Sequence, residues 1–157
     1  MTCGIGGSTA ERELSKLSSM VDGVAAISPA ERQKRIARAQ QVMGEKGIAA
    51  LYLDATTSLT YFTGARFHQS ERTIGALLPA EGPISYISPA FEAAKLREGR
   101  TIDGDIRTWD EHENPFELLA HMVEEAAGPG ALAIDEQAPF FLFDGLRKAG
   151  LNRDCIN

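Results

Sequence analysis

Four groups of residues in this 157-residue chain carry side chains or glycines that could do chemistry. Asp110-Glu111-His112-Glu113 sets three carboxylates and an imidazole side by side, donors that a metal ion could use. In an extended segment neighbouring side chains point to opposite sides, so these four do not converge on one ion. They read instead as a solvated loop ahead of a helix start at Asn114. Asp54 and Asp135 each close an apolar run, and open α/β sheets place active groups at the carboxyl ends of strands. A phospho-receiver aspartate also needs an acidic pair after the first strand. Two helices open this chain instead, so both aspartates read as turn or helix caps. His68 lies in the polar loop Arg66–Arg72 just after Gly64, a setting in which loops carry recognition, whereas His121 falls on the flank of a helix. Gly4-Ile5-Gly6-Gly7 has the look of a phosphate loop. Only three residues precede it, too few for the strand that such a loop must follow, and Met1 to Gly7 reads as a flexible tail.

Composition narrows the function classes further. The chain has 16 basic and 22 acidic residues, a net charge of −6, and 43% hydrophobic residues. That is one domain's worth of ordinary globular sequence. An acidic surface without a basic stripe argues against nucleic acid and against an anionic membrane as partners. There is no H-E-x-x-H, C-x-x-C, G-x-S-x-G or Walker loop. Cys3 and Cys155 stand near opposite ends and make neither a disulfide framework nor a metal spacing. A reduced, cytoplasmic setting is expected, with no secretory signal and no membrane span.

The elements that must position these groups are well punctuated. Ser8 with Glu11 forms a capping box for a helix to about Met20, with Leu14 and Leu17 as its stripe. Val21–Ile27 is a linker. Ser28-Pro29 with Glu31 opens a helix that carries Ile36, Ala39 and Met43 and stops at Gly47. Ile48–Leu53 is a buried strand, and Thr57–Phe62 one helical turn before Gly64. Arg72–Leu78 and Ile84–Ile87 are strands joined by a turn at Glu81-Gly82-Pro83. Ser88-Pro89 with Glu92 starts a helix ending at Gly99. Asp105–Trp109 is a strand, Asn114-Pro115 caps a helix ending at Gly128, and Ala131–Asp135 is a strand. Pro139–Ala149 is a last helix, after which Leu151 begins a further strand. This alternation predicts an α/β fold, a mixed central sheet with helices on both faces.

The ordered set of pieces resembles the N-terminal domain of the creatinase/prolidase/aminopeptidase P family. Arg35–Met43 followed by Glu45-Lys46-Gly47-Ile48-Ala49-Ala50-Leu51 is similar to that family's opening helix and first strand. Ser58-Leu59-Thr60-Tyr61-Phe62-Thr63-Gly64 resembles its N-I-x-Y-L-T-G signature, with Ser58 and Leu59 in the first two places and Phe62 for the usual Leu. Glu71-Arg72, the Glu81-Gly82-Pro83 turn, Trp109 and Asn114-Pro115 follow in order. The likeness covers roughly Arg35 to Gly150, which divides the chain into an extra tail and helix at residues 1–27 and the family domain at residues 28–157.

The resemblance implies a ribonuclease H-like motif in the fold and a parent protein that is an Xaa-Pro dipeptidase, an Xaa-Pro aminopeptidase or a creatinase-like hydrolase. Such a parent holds two divalent ions (manganese, zinc or cobalt) on Asp, Asp, His, Glu and Glu of a second, pita-bread domain. None of that ligand set lies in these 157 residues, so the domain alone is expected to be non-catalytic and without cofactor. The family forms homodimers in which this domain overhangs the partner's active site. Carried over, the loop Ala65–Arg72 would contact a peptide or small-molecule substrate there. Phe67 would supply an apolar surface, His68 a hydrogen bond and Arg72 a carboxylate clamp. Tyr61 and Phe62 would be core aromatics. Two other readings remain open: a free-standing α/β ligand-binding module, and a small complete enzyme using Asp110, His112 and Glu113.

Overall fold

The computed structural model describes residues 6–157, so Cys3 and the Gly4-Ile5 half of the Gly4–Gly7 run lie outside the described residues. Helix α1 (Ala10–Leu14) is capped by the Thr9 hydroxyl, which accepts from the Arg12 amide at 3.3 Å. The expected capping box does not form: the Ser8 hydroxyl donates to Glu13 instead. The helix stops six residues short of Met20 because its stripe has nothing to cover it. Leu14 and Leu17 are both exposed, and an unpacked short helix is marginal in water.

From Ser28 onward the local signals take effect. The Ser28 hydroxyl accepts from the Glu31 amide, Pro29 sits in the first turn, and α2 (Pro29–Lys46) ends at Gly47. Strand β1 (Ile48–Asp54), helix α3 (Thr57–Thr63) and strands β2 (Gly75–Pro79) and β3 (Ser85–Pro89) follow. A 3-10 turn at Ala90–Glu92 then leads into α4 (Ala93–Gly99). Ser88 and Pro89 were expected to open that helix, but they continue the strand opposite Thr108 and Trp109. Next come β4 (Asp105–Trp109), α5 (Pro115–Ala126), β5 (Ala131–Ile134), α6 (Phe140–Lys148) and the two-residue β6 (Cys155–Ile156). Among the described residues no helix is long and apolar enough to cross a membrane.

The six strands form one mixed sheet in the order β4-β3-β2-β1-β5-β6. β1–β2 and β2–β3 are antiparallel, while β3–β4, β1–β5 and β5–β6 are parallel. Strand side chains alternate between faces, so each strand feeds two cores. Leu53, Ala76, Leu78 and Tyr86 pack on one face with Met43, Leu59 and Leu96 from α2, α3 and α4. Ala50, Tyr52, Leu77 and Ile87 pack on the other with Leu119 and Val123 of α5 and Leu142 and Leu146 of α6. The mixed, two-sided α/β sheet expected from the sequence is therefore the fold.

Candidate functional site

Strands β1 and β5 run parallel, with Tyr52 opposite Ile134, so Asp54 and Asp135 emerge together at one edge of the sheet. Both are buried, at 5% and 7% exposure. Asp135 caps its turn as expected: its Oδ1 accepts from the Gln137 amide at 3.1 Å, and its Oδ2 from the Thr56 hydroxyl at 2.6 Å. Asp54 does not cap a turn. Its carboxylate accepts from the Tyr52 hydroxyl at 3.3 Å and from Gln69 Nε2 at 2.7 Å. The same Gln69 nitrogen donates to the Gln137 carbonyl at 2.7 Å, which closes a network from β1 through the loop to the turn after β5.

Burial pushes the Asp54 carboxyl above the usual range and outweighs its hydrogen bonds from Gln69, the Ala55 backbone and Tyr52; the Asp135 charge adds to the rise. Burial, and then the Asp54 charge, hold the Tyr52 phenol well above its ordinary value, so it remains a donor. A carboxyl whose folded pKa is raised destabilises the fold above that pKa, and this cost is relieved as pH falls through it. Asp54→Asn is therefore expected to raise the melting temperature at pH 7, with the gain shrinking as pH is lowered toward 5. Its amide can donate to Tyr52, whose hydroxyl then turns to the Ile74 carbonyl 3.4 Å away. Thermal melts of both proteins across that range test this; a gain that grows on acidification would contradict it.

Over this edge opens a cleft of about 760 Å³. Ile27, Ala55, Tyr61 and Phe67 supply its apolar wall, Arg32, Arg35 and Arg66 its cations, and His68 an imidazole. Arg32 is a residue that sequence reasoning passed over, yet a signal was present. It lies four, seven and eleven residues before Ile36, Ala39 and Met43, on the apolar stripe of α2. It is only 7% exposed. Its Nη1 donates to the carbonyls of Thr60 and Tyr61, the latter at 2.9 Å, which ties α2 to the end of α3.

The structure separates the three residues singled out in the loop. Phe67 is 9% exposed and belongs to the core beside Leu59 and Ala65, with the Lys95 ammonium 4.3 Å from its ring. His68 is exposed on the cleft. Arg72 is not part of the cleft lining. Its guanidinium pairs with Glu71 at 2.5 Å and with Glu111 at 3.0 Å, and lies 5.4 Å from the Phe91 ring centroid. The partnership with Glu111 raises the Arg72 pKa further.

The remaining candidates scatter. The acidic segment turns rather than running extended as expected, with the Glu113 amide donating to the Asp110 carbonyl at 2.8 Å. Its donors still part, because Glu111 points to Arg72 while the Glu113 carboxylate accepts from the Asp110 amide at 2.7 Å. No group of three or more His, Cys, Asp or Glu able to hold a metal ion occurs among the described residues. The two ions implied by the family resemblance do not fit the side chains present here. His121 is 63% exposed beside Glu125. Tyr61 is not a core aromatic: it is 49% exposed and stacks under the Arg35 guanidinium at 4.1 Å. Leu59 and Thr63 take the inward face of α3, and a residue midway between them must point out.

Comparison with known proteins agrees with this architecture. A family model described as the creatinase/prolidase N-terminal domain matches residues 35–157. An uncharacterized peptidase of Schizosaccharomyces pombe is 30% identical over 145 residues, covering 83% of this chain and 31% of its own length. Among solved structures, a prolidase from Thermococcus sibiricus superposes with a TM-score of 0.70 at 24% identity, over 80% of this chain and 34% of that one. The creatinase/prolidase N-terminal domain of an X-Pro dipeptidase from Streptococcus pyogenes gives 0.67 at 17% identity, over 79% of this chain and 92% of that domain. At these identities the structural likeness is one of fold. The chain spans about a third of the length of the curated relative and of the Thermococcus protein. The match to the family model over most of the chain, on the sheet and helices described above, makes this chain a member of the creatinase/prolidase N-terminal domain family.

Proposed function

We propose that this chain is the non-catalytic N-terminal domain of an Xaa-Pro peptidase-like or creatinase-like metallohydrolase, serving dimerisation and substrate recognition across the dimer. The observation that carries this reading is one of coverage. The chain matches nearly all of an isolated N-terminal domain but only about a third of a whole prolidase. Two divalent ions and the hydrolytic chemistry then belong to a second domain, in a cytoplasmic homodimer. Recognition falls to the loop Ala65–Arg72. His68 offers its imidazole from the cleft edge, Phe67 shapes the loop from beneath, and Arg72 meets a substrate carboxylate by exchanging Glu111 for it. Glu111 is 65% exposed, and an exposed ion pair of this kind is worth little, so the exchange costs little.

Turnover of glycyl-proline tests the reading. The chain alone, dialysed against manganese, is expected to show none. A longer protein carrying Asp, Asp, His, Glu and Glu ligands behind this domain is expected to turn the dipeptide over. In that protein Arg72→Ala should lower kcat/KM by roughly ten-fold or more, the worth of one charge-assisted contact, with little change in melting temperature. Unaltered kinetics together with an unfolded domain would make Arg72 a structural residue.

A further inference from the structure

The cleft over the β1–β5 edge has an unbalanced charge. The protein is acidic overall, with 22 acids to 16 bases. Yet no Asp or Glu among the described residues lines the cleft, while three arginines and a histidine do. Three neighbouring acids are already engaged, while Glu136, next to Gln137 in the chain, is exposed and outside the lining. Glu31 pairs with Arg35, and Asp54 and Asp135 sit behind Gln69 and Thr56, which take up their oxygens.

Arg32 is the sharpest anomaly. It is more than nine-tenths buried, and no carboxylate among the described residues pairs with it. Its Nε is buried without a partner, and its Nη2 makes no hydrogen bond to the described residues. The two carbonyls at the end of α3 satisfy Nη1 and orient the guanidinium plane, but dipoles do not neutralise a buried cation. Leaving a charge buried and unpaired is costly. Arg66 stands exposed on the same cleft with no hydrogen bond or ion pair to the described residues, and His68 is exposed beside it.

We infer that this cleft is a binding site within the domain itself for a small organic carboxylate. The uncompensated guanidinium groups of Arg32 and Arg66 call for an anion, with the His68 imidazole as a further polar contact, and a carboxylate matches the planar donor edge that the exposed Arg66 guanidinium presents. The size of the cleft and its wall of Ile27, Ala55, Tyr61 and Phe67 call for an apolar body attached to that carboxylate, which a bare inorganic ion lacks. Such pockets characteristically combine an apolar wall with a few placed polar groups. The site rests on the charge of the cleft and holds whether or not the chain belongs to a hydrolase.

The test is a titration of the isotope-labelled chain by two-dimensional NMR with three probes: N-acetylleucine, its neutral amide N-acetylleucinamide, and inorganic phosphate. The carboxylate is expected to shift the amides of Ala55, Thr57, Arg66, His68 and Gln69 saturably, with the neutral amide at least ten-fold weaker. Arg66→Gln, on an exposed side chain with no partners among the described residues, should leave the spectrum folded and weaken binding about five-fold or more. Arg32→Lys should weaken it further; should that variant fail to fold, Arg66→Gln and the neutral probe still decide. Equal binding of acid and amide, shifts located elsewhere, binding of phosphate but not of N-acetylleucine, or an unaffected Arg66→Gln would each overturn the assignment. No outcome depends on peptidase turnover, so failure here and failure of the hydrolase reading are told apart.

Discussion

Phe67→Ala is expected to lower the stability of this domain by about 3–5 kcal/mol, the range for truncating a buried phenylalanine. The ring is 9% exposed and packs into the core formed by α2, α3, α4 and one face of the sheet. Its neighbours Leu59 and Ile74 belong to short or strand-end segments that cannot close a ring-sized hole without moving backbone. For a chain of this length the loss corresponds to a fall in melting temperature of roughly 6–20 °C. His68→Ala, one residue on but exposed, should stay within about 0.5 kcal/mol of the parent. Urea unfolding of the two variants side by side makes the comparison. If Phe67→Ala melted with the parent while substrate affinity of a longer protein collapsed, the ring would be a contact residue after all.

Gly64→Ala should cost about 2–5 kcal/mol, from two separable sources. Gly64 ends α3 in the left-handed region at φ 83°, which charges any L side chain about 1–2 kcal/mol. A Cβ there would also lie 2.3 Å from the Thr101 hydroxyl and 3.0 Å from its Cβ, an overlap of the kind that costs about 1–3 kcal/mol. Thr101 cannot retreat freely, because its amide donates to the Thr63 carbonyl at 2.8 Å and so holds the loop after α4 against α3. Gly47→Ala is the control: φ is 68° there, but a Cβ meets nothing within 4 Å, so only the conformational part remains. Combining Gly64→Ala with Thr101→Gly should recover the steric part alone. Chemical denaturation of these three variants, with Thr101→Gly alone as the reference for the pair, gives both parts. A Gly64→Ala no worse than Gly47→Ala would show that Thr101 yields.

The sequence was informative where a local rule acts without competition. Strand β4 at Asp105–Trp109 was read residue for residue, and β1 and β5 to within one residue at one end. Each is a short apolar or alternating run bounded by turn residues. The helix starts at Ser28-Pro29 and Asn114-Pro115 were equally plain, because a cap is a contact between residues two or three apart. Reading failed where a distant partner decides. β2 begins at Gly75 rather than Arg72: Arg72 turns aside to Glu111, and the Thr73 carbonyl accepts from the Trp109 indole at 3.1 Å. Ser88-Pro89 has the form of a helix start but is captured as strand by β4.

By itself, then, the sequence determined the α/β class, most element positions and the family likeness. All three follow from periodicity, caps and the order of short motifs, which are encoded over a few residues. Only the tertiary structure decided which side chains meet. It brought Asp54 and Asp135 to one sheet edge across 81 residues of chain, by pairing β1 with β5 in parallel. It sank Phe67 into the core, held Arg72 on Glu111, and left the Arg32 cation buried at the end of α3 without a counter-charge among the described residues. Those outcomes depend on strand order and on which face each helix presents, and the cost or gain of a buried charge exists only once the chain has closed around it.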